Sequence, residues 1–232
     1  MPAEWEPHAA TLLAWPANTS DWPGKFQPIP WVFAEIARHM LPGERICLAV
    51  QSAAQEARAR RVLKRAGADS TAITFVQTPL DRGWMRDISP CFVLCPERGL
   101  TAVRFGFNGW AKYDNFARDA AWAGHIARLL GMHTVDATSP SRADSKPGGG
   151  DAASMRVVLE GGAIDGNGRG SLLTTEECLL DPRAQVRNPG FSRANYEDVF
   201  RRCLGVTNVI WLGAGIAGDD THGHVDDLCR FV

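Results

Sequence analysis

Short apolar runs of strand type alternate with longer amphipathic stretches along the chain, and this alternation constrains the fold more than any other sequence feature. Most of the runs are bounded by Gly, Pro or Asp, which is typical of strands. Because strands and helices are interleaved, the sequence predicts an α/β fold or a close α+β mixture. The predicted strands are Thr11–Ala14, Ile46–Val50, Ile73–Val76, Ile88–Leu94, Thr101–Phe107, Val157–Gly161, Gly170–Thr175, Asn208–Leu212 and Asp226–Val232.

Four stretches have the features of helices, and capping residues indicate the ends of two of them. Asp114 is a good N-cap for the third helix, and Gly131 follows its last apolar residues. Ser192 and Gly205 flank the fourth helix in the same way. The predicted helices are Trp31–Met40, Ala53–Arg65, Asn115–Leu130 and Arg193–Leu204.

Two further segments interrupt the pattern within what we predict to be a single domain over 1–232. The polar stretch 137–154 is rich in Pro, Gly and Ser and predicts a loop insertion. Asp-Gly and Asn-Gly dipeptides in Ile164–Gly170 predict a hairpin. The sequence stops within an apolar run at Phe231–Val232, so we expect either a central strand there or a domain incomplete at its C-terminus. An open strand edge would cause poor solubility or pairing with a partner.

Charge and composition exclude several classes of protein. There are 25 Lys and Arg residues against 26 Asp and Glu residues, so the basic excess of a duplex nucleic-acid binder is missing. The sequence has neither an apolar run of roughly 18 residues nor a basic amphipathic face, so no membrane association is expected. The N-terminus lacks the features of a signal peptide. Six cysteines, most of them in apolar runs, predict free thiols in a cytoplasmic protein.

The densest cluster of polar side chains lies near the end of the sequence, in GDDTHGHVDD. If this segment is extended, alternate residues share a face, so Asp220, His222, His224 and Asp226 point the same way. Burial of such a set is costly without partners, which favours a functional site. A solvated Asp-rich turn is the structural alternative.

Two other segments carry candidate residues before or after apolar runs. Trp84 and Asp87 belong to GWMRD, where an aromatic ring and a carboxylate could bind a cation, although Asp87 could simply form a surface ion pair. Glu160 is followed by two glycines that would let a ligand come close, or that mark a strand edge. Two hypotheses follow, a hydrolase for a cationic substrate and a metal-dependent hydrolase with His222, His224 and an Asp as ligands.

Together these motifs resemble the agmatine deiminase family, which includes the bacterial peptidylarginine deiminase. The resemblance runs in the family's order through MPAEWEPH, WMRD, FNGW, LEGGAID, LLTTEECLL with RNP, and GDDTHGHVDD. It implies the pentein fold, in which strand–helix modules surround a pseudo-fivefold axis. It also implies hydrolysis of a guanidino group to a ureido group and ammonia, without a cofactor or a metal. For agmatine, the product is N-carbamoylputrescine.

The resemblance also implies roles for individual residues. Asp87 and Asp226 match the family's guanidinium-binding carboxylates, and Trp84 matches a residue that lines the guanidinium pocket. His224 matches the general acid/base histidine, and Glu160 lies in a family motif near the site. A thiolate would attack the guanidinium carbon, and His224 would serve both proton transfers.

The sequence departs from the family's pattern in two ways. The family's nucleophilic cysteine lies in a final module that this sequence does not reach, and Cys91 and Cys229 read as core residues, so the chain alone is expected to be inactive. His222 stands where many agmatine deiminases have Asp, which assigns it to substrate binding. Peptidyl-arginine or another alkylguanidine is therefore an alternative substrate. A protein that binds guanidines without catalysis, as a remnant of the enzyme, is an alternative function. A homo-oligomer is left open.

Overall fold

The computed structural model describes residues 1–138 and 156–232, and the chain divides into two compact units. One unit is Pro7–Met85, and the other combines Met1–Glu6 with Arg86–Val232. Beyond Thr138, the loop predicted for 137–154 lies outside the described residues. The single domain over 1–232 stays a prediction.

The unit Pro7–Met85 is a three-stranded parallel sheet with two helices as its connections. Its elements are β1 (Ala10–Ala14), a 3-10 turn (Thr19–Asp21), α1 (Ile29–Met40), β2 (Arg45–Val50), α2 (Ala53–Arg65), a 3-10 turn (Ser70–Ala72) and β3 (Ile73–Gln77). The central strand β2 is buried from Ile46 to Val50, which fits a parallel strand covered on both faces. Trp15 and Leu63 pack into the same core.

The second unit contains two sheets with the same connectivity. In each sheet an antiparallel hairpin is followed by helix and then by a third strand that pairs in parallel. The elements are α3 (Met85–Ile88), which begins at the boundary, β4 (Cys91–Cys95), β5 (Gly99–Arg104), a 3-10 turn (Gly109–Ala111), α4 (Ala117–Leu129), β6 (His133–Asp136), a 3-10 turn (Gly161–Ala163), β7 (Asp165–Gly166), β8 (Ser171–Thr175), α5 (Glu176–Leu180), α6 (Arg193–Leu204) and β9 (Asn208–Leu212).

Local capping signals correctly predicted both ends of helix α6. Helix α6 begins after Ser192, whose side chain forms a capping box with Asn195, and ends at Gly205 with φ +71°. The predicted N-cap Asp114 of α4 is wrong, because the helix begins after Phe116, which provides no side-chain hydrogen bond. In the part of the chain that the structure describes, no helix is long and apolar enough to cross a membrane.

The strand predicted at Val157–Gly161 is wrong for a non-local reason. Val158 makes only an isolated bridge to Gly106. Its backbone N–H donates to Asn188 Oδ1 at 2.9 Å, and its carbonyl accepts from Asn188 Nδ2 at 2.7 Å. An asparagine side chain thus replaces a strand partner, and the chain then enters the 3-10 turn at Gly161–Ala163.

The strand predicted at Asp226–Val232 is also wrong. The backbone N–H groups of Leu228 and Cys229 donate to the Val225 carbonyl at 3.0 and 2.8 Å, which closes a turn. The Phe231 N–H donates to Asp165 Oδ2 at 2.6 Å. These bonds replace a strand ladder, so no strand edge forms at Phe231–Val232. Cys229 is exposed and is not the core residue that its apolar context predicted.

Two other strand predictions have shifted bounds, and the hairpin prediction is confirmed. The strand predicted at Thr101–Phe107 spans Gly99–Arg104 instead. Ile88 is the last residue of α3, so the strand predicted from Ile88 begins only at Cys91. The predicted hairpin forms, because β7 pairs antiparallel with β8. All six cysteines are free, as predicted.

Candidate active site

Asp87 lies in the short helix α3 and is buried, with one hydrogen bond to each carboxylate oxygen. The Trp110 indole N–H donates to Oδ2 at 3.0 Å, and the Gly162 backbone N–H donates to Oδ1 at 3.0 Å. Burial raises the pKa of Asp87 to about 6, and the nearby carboxylates of Glu160 and Asp226 add to that shift against the opposing effect of His224. The site therefore holds a carboxylate that a bound cation would stabilise.

Glu160 precedes the 3-10 turn at Gly161–Ala163 and is 0% exposed. Arg187 Nε donates to its Oε1 at 3.1 Å, in an ion pair that is fully buried on both sides. The same guanidinium donates to the carbonyls of Gln185 at 3.0 Å and Thr221 at 2.6 Å. Glu160 Oε2 is buried and has no hydrogen-bond partner among residues 1–138 and 156–232.

His224 brings its imidazole to the same place from the loop between β9 and the C-terminal turn. Its Nδ1 lies 3.8 Å from Asp87 Oδ1 and 3.9 Å from Asp226 Oδ1. Its Nε2 is buried and, within the described ranges, makes no hydrogen bond. Asp226 is partly buried, and burial raises its pKa despite Arg86, whose Nε lies 3.5 Å from Asp226 Oδ2.

The loop that carries His224 is organised by Asp219. The Asp219 carboxylate accepts backbone N–H bonds from Thr221 at 2.8 Å, Gly223 at 2.7 Å and His224 at 3.1 Å. Burial opposes ionisation of Asp219, but these bonds and the Thr221 hydroxyl outweigh it and lower its pKa. A residue outside the loop, Thr175, also holds it in place, because its hydroxyl donates a hydrogen bond to the Gly223 carbonyl at 2.5 Å.

The extended segment predicted for Asp220 to Asp226 is wrong, because the chain turns at His222, where φ is +62°. His222 Nε2 lies 3.0 Å from Asp181 Oδ2, and its Nδ1 lies 3.5 Å from Glu177 Oε1. Asp220 is bound by Lys112 Nζ at 2.5 Å and the Tyr113 hydroxyl at 2.8 Å. His222 and Asp220 are therefore occupied by their own partners, and the role of His222 in substrate binding stays a prediction.

The sequence suggested that Gly161 and Gly162 let a ligand come close. In the structure, atoms of Arg86, Asp87 and His224 approach these two glycines instead. A Cβ at Gly162 would lie 2.8 Å from Asp87 Oδ1 and overlap His224 Nδ1. A Cβ at Gly161 would overlap the Arg86 carbonyl oxygen. The two glycines are thus required for the close approach of Asp87 and His224.

Trp84 belongs to the unit Pro7–Met85 and is partly exposed. Its indole N–H donates to Asp21 Oδ2 at 3.2 Å, and its ring lies 5.6 Å from that of Trp22. Its predicted contact with substrate stays a prediction.

Three buried side chains could hold a metal ion. Glu160, Cys178 and His224 each offer one ligand atom, and these atoms lie within 4.8 Å of one another. His222, the second ligand of the predicted metal site, is not in this group. Burial strongly raises the pKa of the Cys178 thiol.

Sequence reasoning missed four residues of this site, although each lies in a motif that it used. They are Trp110 of FNGW, Cys178 of TTEECLL, Arg187 of RNP and Asp219 of GDDT. Their types are common in cores and turns, so only their contacts identify them.

Comparison with known proteins finds relatives over the whole length of this chain. The chain is 35% identical over 232 residues to the agmatine deiminase of Stutzerimonas stutzeri and 34% identical over 237 residues to that of Pseudomonas aeruginosa. In both cases the match includes 100% of this chain and 57% of the relative. The chain thus spans little more than half the length of the curated relatives it matches.

Comparison with solved structures also finds agmatine deiminases, and it confirms the prediction of an α/β fold. The structure of the agmatine deiminase of Enterococcus faecalis superimposes with a TM-score of 0.81 at 28% identity, over 100% of this chain and 57% of that one. The model of the Porphyromonas-type peptidyl-arginine deiminase family matches residues 1–232. Because that match includes every residue, the chain belongs to this family.

Proposed function

We propose that the chain carries the guanidinium-binding site of a deiminase that hydrolyses agmatine to N-carbamoylputrescine and ammonia. The observation that carries this proposal is the position of two carboxylates, Asp87 and Asp226, at 3.8 and 3.9 Å from one imidazole nitrogen of His224. Carboxylates accept paired N–H bonds from a planar guanidinium and fix its orientation. The imidazole is then beside the nitrogen that must leave.

The proposed reaction has two steps, and both use His224. A thiolate attacks the guanidinium carbon, His224 gives a proton to one nitrogen, and ammonia leaves a covalent thiouronium. Water then attacks that carbon while His224 takes its proton, and the thiol is released with the ureido product. Asp87 and Asp226 balance the cationic charge throughout.

The proposal assigns the attacking thiol to the part of the relatives' length that this chain does not span. Cys178 lies beside His224, but it is almost fully buried and its pKa is strongly raised, which disfavours the reactive thiolate. Cys91 has a pKa raised by burial to about 11. Neither thiol is suited to the attack.

Two broader features belong to the same proposal. The repeated hairpin–helix–strand connectivity of the second unit supports a pentein arrangement of such modules. Six free thiols support a location in a reducing compartment, which is the cytoplasm in our proposal.

Calorimetric titration with agmatine tests the binding site, and a ureido-product assay on the complete protein tests turnover. Asp87→Asn should weaken agmatine binding and reduce turnover, each by about 100-fold or more, because a charge-assisted bidentate contact is lost. Asp198→Asn, a partly exposed ion-pair residue of α6, is the matched control and should change neither. Putrescine, which lacks the guanidino group, should not compete.

The alternatives give different results. Unchanged turnover in Asp87→Asn would exclude this site. Agmatine binding without turnover in the complete protein would identify a guanidine-binding remnant. Turnover of peptidyl-arginine in preference to agmatine would change the substrate and keep the chemistry.

A further inference from the structure

One buried thiol beside the site has no part in the proposed reaction. Cys178 lies in α5, with its Sγ within 4.8 Å of ligand atoms of both Glu160 and His224. The relative exposures of the three residues are 3%, 0% and 3%. Three different ligand types therefore converge on one small volume that is shielded from solvent.

Two polar side-chain atoms of these residues are buried without hydrogen-bond partners in the described part of the chain. They are Glu160 Oε2 and His224 Nε2. Buried polar atoms of native proteins are almost always satisfied, because an unsatisfied one costs about 1–3 kcal/mol. Both atoms are lone-pair donors when the carboxylate is ionised and the neutral imidazole carries its proton on Nδ1, so an electron-pair acceptor would satisfy each of them.

The donor set identifies the class of acceptor. Thiolate, imidazole and carboxylate together are typical ligands of Zn²⁺, whereas Ca²⁺ and Mg²⁺ prefer oxygen alone. Bond lengths of about 2.0–2.3 Å place the ligand atoms of a tetrahedral zinc site roughly 3.3–3.8 Å apart. Side-chain shifts of about an ångström would bring the three atoms from their present spacing into that range.

Neighbouring groups already orient the ligands. Arg187 binds Glu160 Oε1 at 3.1 Å, which leaves Oε2 for a single metal bond. The carboxylates of Asp87 and Asp226 lie 3.8 and 3.9 Å from His224 Nδ1. An imidazole that binds a metal through one nitrogen usually donates the N–H of its other nitrogen to such a carboxylate. The same carboxylates offset the added positive charge.

We propose that Glu160, Cys178 and His224 bind one zinc ion, and that this ion excludes the cationic substrate from the site. Binding converts the Cys178 thiol to a zinc thiolate and releases its proton to solvent, while the imidazole binds as the neutral base. The fourth position is filled by water. The exclusion of substrate rests on the proposed function, whereas binding of the metal does not.

Zinc binding to the purified chain can be measured against a chromophoric chelator, with cobalt(II) as a spectroscopic probe. We expect one zinc ion per chain and a thiolate-to-cobalt charge-transfer band. Cys178→Ser should abolish that band and weaken zinc binding by more than the roughly 10- to 100-fold that loss of an outer partner causes. Cys203→Ser, a partly buried thiol of α6, is the matched control and should leave both unchanged.

A second variant keeps the test decisive if Cys178→Ser does not fold. Glu160→Gln should weaken zinc binding but keep the charge-transfer band, because the thiolate remains. No stoichiometric zinc binding, equal binding in Cys178→Ser, or loss of binding in Cys203→Ser would each overturn the site. Agmatine should raise the apparent zinc Kd. If zinc binds by these criteria and agmatine has no effect, the metal site stands and the link to the proposed function fails.

Discussion

At the scale of single residues, Asp87 combines two opposing features. Its oxygens are fixed by Trp110 and Gly162, yet burial raises its pKa to about 6. Removal from water disfavours the charged form more than two N–H bonds favour it. A bound guanidinium would reverse that balance, so ligand binding and ionisation of Asp87 are linked.

We therefore expect agmatine affinity to fall as the pH decreases through about 6. The guanidinium favours ionised Asp87, so below its pKa a proton must be released on binding, and affinity should fall by up to about tenfold per pH unit. Calorimetry between about pH 5 and 8 checks this. A constant affinity over that range would contradict it.

The variant Trp110→Phe should distinguish the contribution of the hydrogen bond to Asp87 from the contribution of ring packing. The phenyl ring can keep the edge-on contact with Phe107, where the ring centres are 4.9 Å apart, but it cannot donate to Asp87 Oδ2. We expect a loss of about 1.5–3 kcal/mol in folding free energy at pH 8 and an upward shift of the pH midpoint for agmatine binding.

Trp211→Phe is the matched control for this prediction. It removes an indole bond of 2.9 Å to the exposed carboxylate of Glu197 and should leave that midpoint unchanged. If Trp110→Phe lowers stability without moving the midpoint, Trp110 serves packing alone.

The sequence predicted several residues that lie together at the site, but not the residues that support them. Asp87, Glu160, His224 and Asp226 are identified by motifs whose residue types suit a cation. The hydrogen bond by which Trp110 supports Asp87 could not be predicted in the same way. The two residues are far apart in the sequence, and such a bond leaves no local pattern.

At the scale of elements, one arginine joins two segments that carry site residues. Arg187 bonds Glu160, which precedes the 3-10 turn, and the Thr221 carbonyl in the loop that carries His224. A buried guanidinium can make these bonds in several directions at once, which a lysine ammonium cannot reproduce. The position of the loop therefore depends on Arg187.

Arg187→Met should destabilise the chain by about 3–5 kcal/mol, because it leaves the Glu160 carboxylate buried without its partner. The double variant Glu160→Gln, Arg187→Met should be more stable than Arg187→Met alone, since the unpaired charge is gone. Urea unfolding gives both free energies. If the double variant loses as much free energy of unfolding as the two single variants lose together, the two residues act independently.

Elements were predictable where the signals are local. Ala53–Arg65 and Asn208–Leu212 have the predicted bounds, since periodicity and adjacent caps or breakers define them. The segment around His222 was predicted as extended from its alternating pattern. It turns instead because its backbone bonds to Asp219 within the same segment and to the distant side chains of Thr175 and Arg187. Such partners are invisible in a single sequence.

At the scale of the whole molecule, charge and exposed apolar side chains act together. The net charge is −1 at pH 7, and the sequence pI is about 6.6, so electrostatic repulsion between copies is weak near neutrality. Leu94 and Leu100 are 66% and 49% exposed and lie opposite each other on the hairpin of β4 and β5. Adjacent exposed leucines favour association when charge does not oppose it.

We expect self-association of the chain to be strongest near pH 6.6 and weaker at about pH 8.5, where net negative charge separates the copies. Replacing both Leu94 and Leu100 by Thr should reduce association at the lower pH, because threonine keeps strand propensity and removes apolar surface. Sedimentation velocity at several protein concentrations measures both effects. A monodisperse monomer at pH 6.6, or association unchanged in the double variant, would show that this hairpin does not mediate contacts between copies.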